Sequence, residues 1–345
     1  MVQAFGPLTF GLSAAALVVS AAGVWYSIRL AHRIGVVDVP NERSSHDHPT
    51  PRMGGVPMVA AVALTFGCWV CLVGGGGLHV KGLSTVLGFA FLMSVLGFWD
   101  DVSGLSPLFR FLVQFAAAVL FLGAASFLFP KVVLAGSIFP TAVWVLASSL
   151  WIQWMLNLYN FMDGIDGIAG GEAAVASSFF FFVFSHYGES GWAVANLLVG
   201  AAAMGFLIHN WPPAKIFMGD SGSAFLGAFF GMQSVLASLS TPVPFPVLVL
   251  PFANFILDTT ATLFRRMWRG EKWYLAHRNH YYQRLVASGM SHRKVTVLEL
   301  SSVVVCCIAG LAYLNAGFSG RLITIILVIA LFASIGMWIQ SRLTT

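Results

Sequence analysis

The stretch NLYNFMDGIDGIAGG, residues 157–171, sets Asn157, Asn160, Asp163 and Asp166 three residues apart among Gly164, Gly167, Gly170 and Gly171. It follows directly on the apolar run 139–156, and a carboxylate at membrane depth is costly unless it faces a cavity, a partner or an ion. At helical spacing the four polar side chains drift slowly around the axis and would line one face. Glycines beside them let a second backbone or a phosphate come close. The competing reading is a polar loop between two spans, because Asn, Asp and Gly are all good turn formers.

Other clusters could act with it. Asp100 and Asp101 close the third apolar run, and adjacent carboxylates stay ionised only beside a cation or a metal. Hard oxygen donors of this kind suit Mg²⁺, which commonly joins one or two protein carboxylates to substrate phosphates; alternatively the pair caps and solvates the fourth helix. In HNWPPAKIFMGDSGSAFLG, residues 209–227, Asp220 precedes Ser221, Gly222 and Ser223 at the start of a span. An acid among free helix-start amides suits a phosphate with its metal, with Lys215 near for charge neutralisation, although an N-capping Asp gives the same pattern.

Two loops add cations. DVPNERSSHDHPTPRMGG, residues 38–55, carries Arg43, His46, His48 and Arg52 ahead of a helix start that could bind an anion. An ordinary basic loop with proline turns reads equally well. WYLAHRNHYYQRL, residues 273–285, mixes His277, Arg278, His280 and Arg284 with Trp273, Tyr274, Tyr281 and Tyr282. It fits an amphipathic segment lying in the interface or an anion clamp, since Arg holds phosphate in a planar, bidentate way. Asp258, inside the ninth apolar run, needs a buried partner; Arg265 and Arg266 reach it only if the helix bends or a side chain snorkels.

The elements that must position these groups are membrane spans. Of 345 residues 58% are hydrophobic and 9% charged, with a mean hydropathy of +0.84, where a soluble domain carries about 25% charged residues. Runs of about 20 apolar residues predict an all-α polytopic membrane protein with eleven spans: 5–28, 54–75, 83–99, 108–128, 139–157, 171–187, 191–209, 222–239, 244–264, 295–316 and 320–341. No boundary separates a soluble domain, so residues 1–345 read as one integral membrane domain. The first run passes twenty residues without a small-residue cleavage site, which reads as a span and not a cleavable signal. Cys68, Cys71, Cys306 and Cys307 lie within apolar runs and read as packing residues.

With the N-terminus outside, all Lys and Arg except Lys81, Lys131 and Arg321 fall on one side, fifteen of eighteen, which makes that side the cytoplasm. The C-terminus then lies inside as well. In a membrane protein such a basic excess sets orientation, so the net charge of +5 argues for no nucleic-acid partner. The acidic residues, which the orientation rule does not use, gather at the same face, with Glu189 alone outside; a cytoplasmic polar site follows.

The ordered blocks DVPNERSSHDHPTPRMGG, WDD, NLYNFMDGIDGIAGG, NWPPAKIFMGDSGS, PFANFILDT and HRNHYYQRL, spanning residues 38 to 290, resemble the polyprenyl-phosphate N-acetylhexosamine-1-phosphate transferases. The resemblance implies transfer of a sugar 1-phosphate from a UDP-sugar to undecaprenyl phosphate, with UMP released, at the bacterial inner membrane and with Mg²⁺, or Mn²⁺ in its place. By it, Asp220 matches the metal-binding Asp, Asp100 and Asp101 the acidic pair, and Asn160 and Asp163 polar residues near metal and diphosphate. Asp166, Asn210 and Phe217 match uracil-binding positions, Phe217 by stacking, while Arg278 and His280 match a phosphate-gripping loop. His46, Arg52 and Lys215 complete the expected substrate contacts.

Family enzymes of peptidoglycan synthesis carry adjacent histidines where this chain has His280, Tyr281 and Tyr282. The pattern is closer to initiators of O-antigen-like lipids that use GlcNAc, QuiNAc or FucNAc donors, and homodimers are common in the family. A secondary transporter is the chief rival; its midplane carboxylates and paired, interrupted half-helices are not what this pattern suggests.

Overall fold

A computed structural model describes residues 6–34, 37–38, 49–73, 77–130, 138–271 and 278–343. Its elements are α1 (Pro7–Ile34), β1 (Val37–Asp38), β2 (Thr50–Pro51), α2 (Gly55–Val73), α3 (Leu78–Ser103), α4 (Pro107–Leu128), α5 (Ile138–Met162), α6 (Ile168–His186), α7 (Ser190–Asn210), α8 (Gly219–Ser240), α9 (Phe245–Val249), α10 (Ala253–Trp268), α11 (Tyr281–Ala287), α12 (His292–Asn315) and α13 (Phe318–Leu343). Among the described residues, eleven helical segments are long and apolar enough to cross a membrane, and they fall where the apolar runs predict. In lipid every backbone group must bond internally, which leaves helices as the way to span.

Helix α8 is the axis of the molecule. It is buried along nearly its whole length and is packed by α2, α3 and α5, with α9 at its far end. Helices α1, α6 and α7 form a second layer that meets the first through α2 and α3, and α12 with α13 lies outside α6 and α10. Without a hydrophobic drive between helices in lipid, small residues that let backbones touch decide such packing. A Cβ on Gly97 of α3 would sit 2.2 Å from the Asp220 carbonyl oxygen, and one on Gly55 of α2 would sit 2.4 Å from the Gly222 nitrogen. The two glycines are why α2 and α3 grip the first turn of α8.

Three predicted details change. Helix α3 continues to Ser103, so Asp100 and Asp101 lie inside its last turns and do not cap the fourth helix: Ser106 does, accepting from the Phe109 nitrogen at 3.2 Å. Helix α5 continues to Met162 and stops there, so Asn157, Asn160, Asp163 and Asp166 do not share one helical face. The Gly167 backbone is left-handed, φ +77°, and turns the chain into α6. Thirdly, the ninth span is broken: α9 passes through a tight 3₁₀ turn at Leu250–Phe252 before α10 begins.

Candidate active site

The predicted polar residues meet at the end of the bundle where α3 and α5 finish and α2, α4, α6 and α8 start. A short backbone weld builds it. β1 pairs antiparallel with β2, Asp38 opposite Thr50, and the chain then runs beside residues 217–218: the Phe217 nitrogen donates to the Pro51 oxygen at 2.8 Å, and the Gly54 and Gly55 nitrogens donate to the Phe217 and Met218 oxygens at 2.9 and 2.8 Å. Arg52 is thereby held over the start of α8.

Asp220 is the centre. Its Oδ1 accepts from Arg52 Nη2 at 2.8 Å and from Asn160 Nδ2 at 2.9 Å, and its Oδ2 accepts from Arg110 Nη1 at 3.1 Å. Arg110 also donates to Asp100, whose other oxygen takes the Leu105 nitrogen at 2.7 Å. Asp101 receives the Asp220 and Ser221 nitrogens at 3.0 and 3.1 Å, using the free donors of a helix start; Arg52 Nε lies 3.2 Å from it. Gly219, φ +75°, makes this approach feasible, since a side chain there would meet Asp101 Oδ2 at 2.7 Å. Three carboxylates on two helices thus share two arginines, the cation solution to the repulsion the sequence posed.

Burial by itself would lower the Arg52 guanidinium, but the carboxylates of Asp220, Asp101, Asp38 and Asp163 outweigh it and hold the group above its ordinary value. Asp163, in the turn just past α5, goes the other way. Burial first, opposed by Arg52 and reinforced by Asp220, Asp101 and Asp166, raises its carboxyl well above the usual range. The folded protein therefore keeps a proton that the unfolded chain has released, and its stability falls as pH rises from the unfolded carboxylate value, about 4, through the raised one. Asp163→Asn is expected to stabilise the empty protein by up to about 1.4 kcal/mol per pH unit across that window. Thermal melts of both proteins at pH 5, 6 and 7 check this, and parallel curves would refute it.

Of the remaining predicted residues, Asp166 and Asn210 form a second layer. Asp166 Oδ2 accepts from the Ala214 nitrogen at 3.0 Å and its Oδ1 lies 3.1 Å from His292 Nδ1. Asn210, buried, ties the same turn to the 210–217 loop, accepting from the Gly167 nitrogen at 2.9 Å and donating to the Ile216 oxygen at 2.8 Å. Its amide already works on backbone, in keeping with a scaffold for the loop. Phe217 is half-buried in the weld, and Lys215 is exposed and stands outside the carboxylate cluster. Asn157 turns back to the Gln153 oxygen at 2.9 Å. His280 is buried and stacks on Phe161 and Tyr282 with ring centroids 6.0 and 5.9 Å apart, while Arg278 is half-buried just before it. His46 lies outside the described residues.

Arg110 and His292 join the site without standing in any of the polar blocks singled out above. Arg110 had a signal: a cation in the first turns of α4 opposes the positive end of the helix dipole and needs a carboxylate to hold it there. His292, at the first residue of α12, had none that spacing could reveal. Arg110→Met, which keeps the stem and removes the charge, should cut turnover by about tenfold to a hundredfold by leaving Asp100 and Asp220 short of a cation. Initial rates at saturating substrate test it, and a rate within twofold of wild type would exclude Arg110 from the site.

Residues 83–238, α3 through α8, match the family model Glycosyl transferase family 4. The chain is 32% identical over 280 residues to the probable undecaprenyl-phosphate N-acetylglucosaminyl 1-phosphate transferase of Bacillus subtilis, covering 77% of this chain and 74% of that one. The chain belongs to the polyprenyl-phosphate N-acetylhexosamine-1-phosphate transferases. This membrane-spanning phosphoglycosyl transferase is also 32% identical to the decaprenyl-phosphate N-acetylglucosaminephosphotransferase of Mycolicibacterium smegmatis, over 84% of this chain and 77% of that one. With the undecaprenyl-phosphate alpha-N-acetylglucosaminyl 1-phosphate transferase of Escherichia coli it shares 25% identity over 84% of this chain and 80% of the relative. The transferase family match encloses Asp100, Asp101, Asn160, Asp163 and Asp220, the residues gathered at the end of the bundle.

Proposed function

We propose that the protein transfers N-acetylglucosamine 1-phosphate, or a closely related N-acetylhexosamine 1-phosphate, from its UDP derivative to undecaprenyl phosphate, starting a cell-surface polysaccharide such as an O-antigen. The convergence of Asp100, Asp101 and Asp220 with Arg52, Arg110 and Asn160 carries this reading. Relatives named for N-acetylglucosaminyl 1-phosphate transfer favour the GlcNAc donor over QuiNAc or FucNAc. The excess of Lys and Arg at the site end supports a cytoplasmic site in the bacterial inner membrane, with the N-terminus outside.

Among the described residues no three His, Cys, Asp or Glu side chains stand at metal-ligating geometry. The donor set still suits Mg²⁺, which takes one or two carboxylates and completes its shell with water and substrate phosphates. Asp220 with Asn160 would hold it, and it would neutralise charge on the donor diphosphate. The chain's own groups do the rest. Arg52 and Arg110 supply two fixed cations where several phosphate charges meet, and positioning with charge neutralisation is most of what phosphoryl transfer needs.

An oxygen of the lipid phosphate attacks the sugar-bearing phosphorus, and the bond from that phosphorus to the bridging oxygen breaks, so UMP leaves with that oxygen. The lipid phosphate is largely dianionic near neutral pH, its second pKa being about 6. Asp100 need only accept a residual proton. Purified protein with undecaprenyl phosphate, Mg²⁺ and a panel of UDP-sugars should release UMP from UDP-GlcNAc. EDTA should stop release, and added Mg²⁺ or Mn²⁺ should restore it. Silence with every UDP-sugar would overturn the donor class, and full activity in EDTA would overturn the metal.

A further inference from the structure

Asp258 lies inside the broken ninth span, and the basic residues expected to neutralise it do other work. Arg266 pairs with Glu271 at 3.4 Å. Arg265 donates to the Asn279 oxygen at 2.8 Å and reaches Thr262 and Gln340 at 3.3 Å each. The buried Asp258 carboxylate is spent instead on one segment. Its Oδ1 accepts from the Tyr281 nitrogen at 2.9 Å and from Thr262 Oγ1 at 3.1 Å, its Oδ2 accepts from the Tyr282 nitrogen at 3.3 Å, and His280 Nδ1 lies 3.4 Å away.

That segment packs against the chain just past Asn160. The Tyr282 hydroxyl donates to the Phe161 oxygen at 2.8 Å, and Phe161 follows Asn160 and precedes the turn that bears Asp163. Gly164 in that turn lies flat against the same hydroxyl, where a Cβ would come within 2.1 Å. His280 stacks between Phe161 and Tyr282. From the other side Tyr281 is wedged against α13, whose Gly336 would place a Cβ 3.2 Å from its ring. A carboxylate bonded to two successive amides fixes a backbone far better than a side chain at the end of a long stem.

We propose that Asp258 is a positioning residue that fastens His280–Tyr282 against the Asn160–Gly164 turn, so that Arg278 and His280 meet the reacting phosphates in one fixed arrangement. This rests on the transferase reading. Among the described residues Asp258 makes no hydrogen bond or ion pair with the Asp220 cluster; it acts through the two amides and through His280.

The test uses full-length protein in detergent, UDP-GlcNAc and undecaprenyl phosphate, with Asp258→Ala, His280→Ala and the double variant. If Asp258 acts through the His280 segment, each single change lowers kcat/KM by roughly 10²-fold, and the double falls no more than about threefold below the worse single. Amide exchange in 278–287 should rise by about tenfold or more in Asp258→Ala while 219–240 keeps its protection, and Asp258→Glu should recover part of the rate. Multiplicative losses, unchanged exchange in 278–287, or wild-type kcat/KM in Asp258→Ala would each overturn the proposal. Should Asp258→Ala fail to fold, Thr262→Val, which removes one donor to Asp258 at nearly constant volume, carries the same cycle with His280→Ala. Loss of UMP release in the wild type would defeat the transferase reading alone, because the exchange comparison still reports whether Asp258 holds the segment.

Discussion

Asp220→Asn is expected to abolish UMP release, by roughly 10³-fold or more, while the protein still inserts and purifies as a monodisperse species. The Asp220 carboxylate is where Arg52, Arg110 and Asn160 converge. An amide of the same shape turns one accepting oxygen into a donor, pointing it at a guanidinium or at the Asn160 amide. It also takes away the charge that would hold a divalent ion. Activity within about tenfold of wild type, measured with UDP-GlcNAc at saturating Mg²⁺, would remove Asp220 from the centre of the mechanism. Insertion is the control, because Arg52 keeps Asp101 and Arg110 keeps Asp100, so neither cation is left without a carboxylate.

Gly97→Ala should be nearly as damaging, although residue 97 bears no chemistry. Its Cβ would stand 2.2 Å from the Asp220 oxygen and 2.8 Å from the Ser221 nitrogen, and both are backbone atoms that cannot swing aside. Helix α3 must then back away from α8, carrying Asp101 off the Asp220 and Ser221 amides and Asp100 off Arg110. A displacement of about 1 Å at a catalytic centre costs about 10²-fold in rate, and overpacking adds about 1–3 kcal/mol of destabilisation. Gly88→Ala, on the same helix, meets nothing within 4 Å and should leave activity within about twofold of wild type, since an exposed helical Gly→Ala change is mildly favourable. Equal activity in the two variants would show that the α3–α8 contact does not set the site.

Some of the architecture was legible because lipid imposes a single rule: a run long and apolar enough to span becomes a helix. The eleven spans follow from that rule. The limits of α3 and α5 did not, because Asp100, Asp101 and Asn160 look like loop residues to hydropathy, yet a helix can extend through them when neighbouring helices supply their partners. The repeat of Asn157, Asn160, Asp163 and Asp166 invited a single polar face. Periodicity cannot report that the helix stops at Met162, after which Asp163 and Asp166 face different neighbours: Asp163 the carboxylates of α3 and α8, Asp166 the Ala214 nitrogen and His292.

From its residues and the order of their blocks, the chain alone determined a polytopic helical protein, the segments that bear acids and cations, and the family that arrangement resembles. Only the folded structure decided which charges pair. Arg52 reaches Asp220 because strand-like bonds between 51–55 and 217–218 lay one loop along another, and Arg110, ten residues beyond Asp100, closes the second pair. Contacts across 168 and 110 residues of sequence depend on how closely helices pack, which Gly55 and Gly97 set through the space they leave empty. Absent side chains leave no mark in composition or charge, so that information exists only in three dimensions.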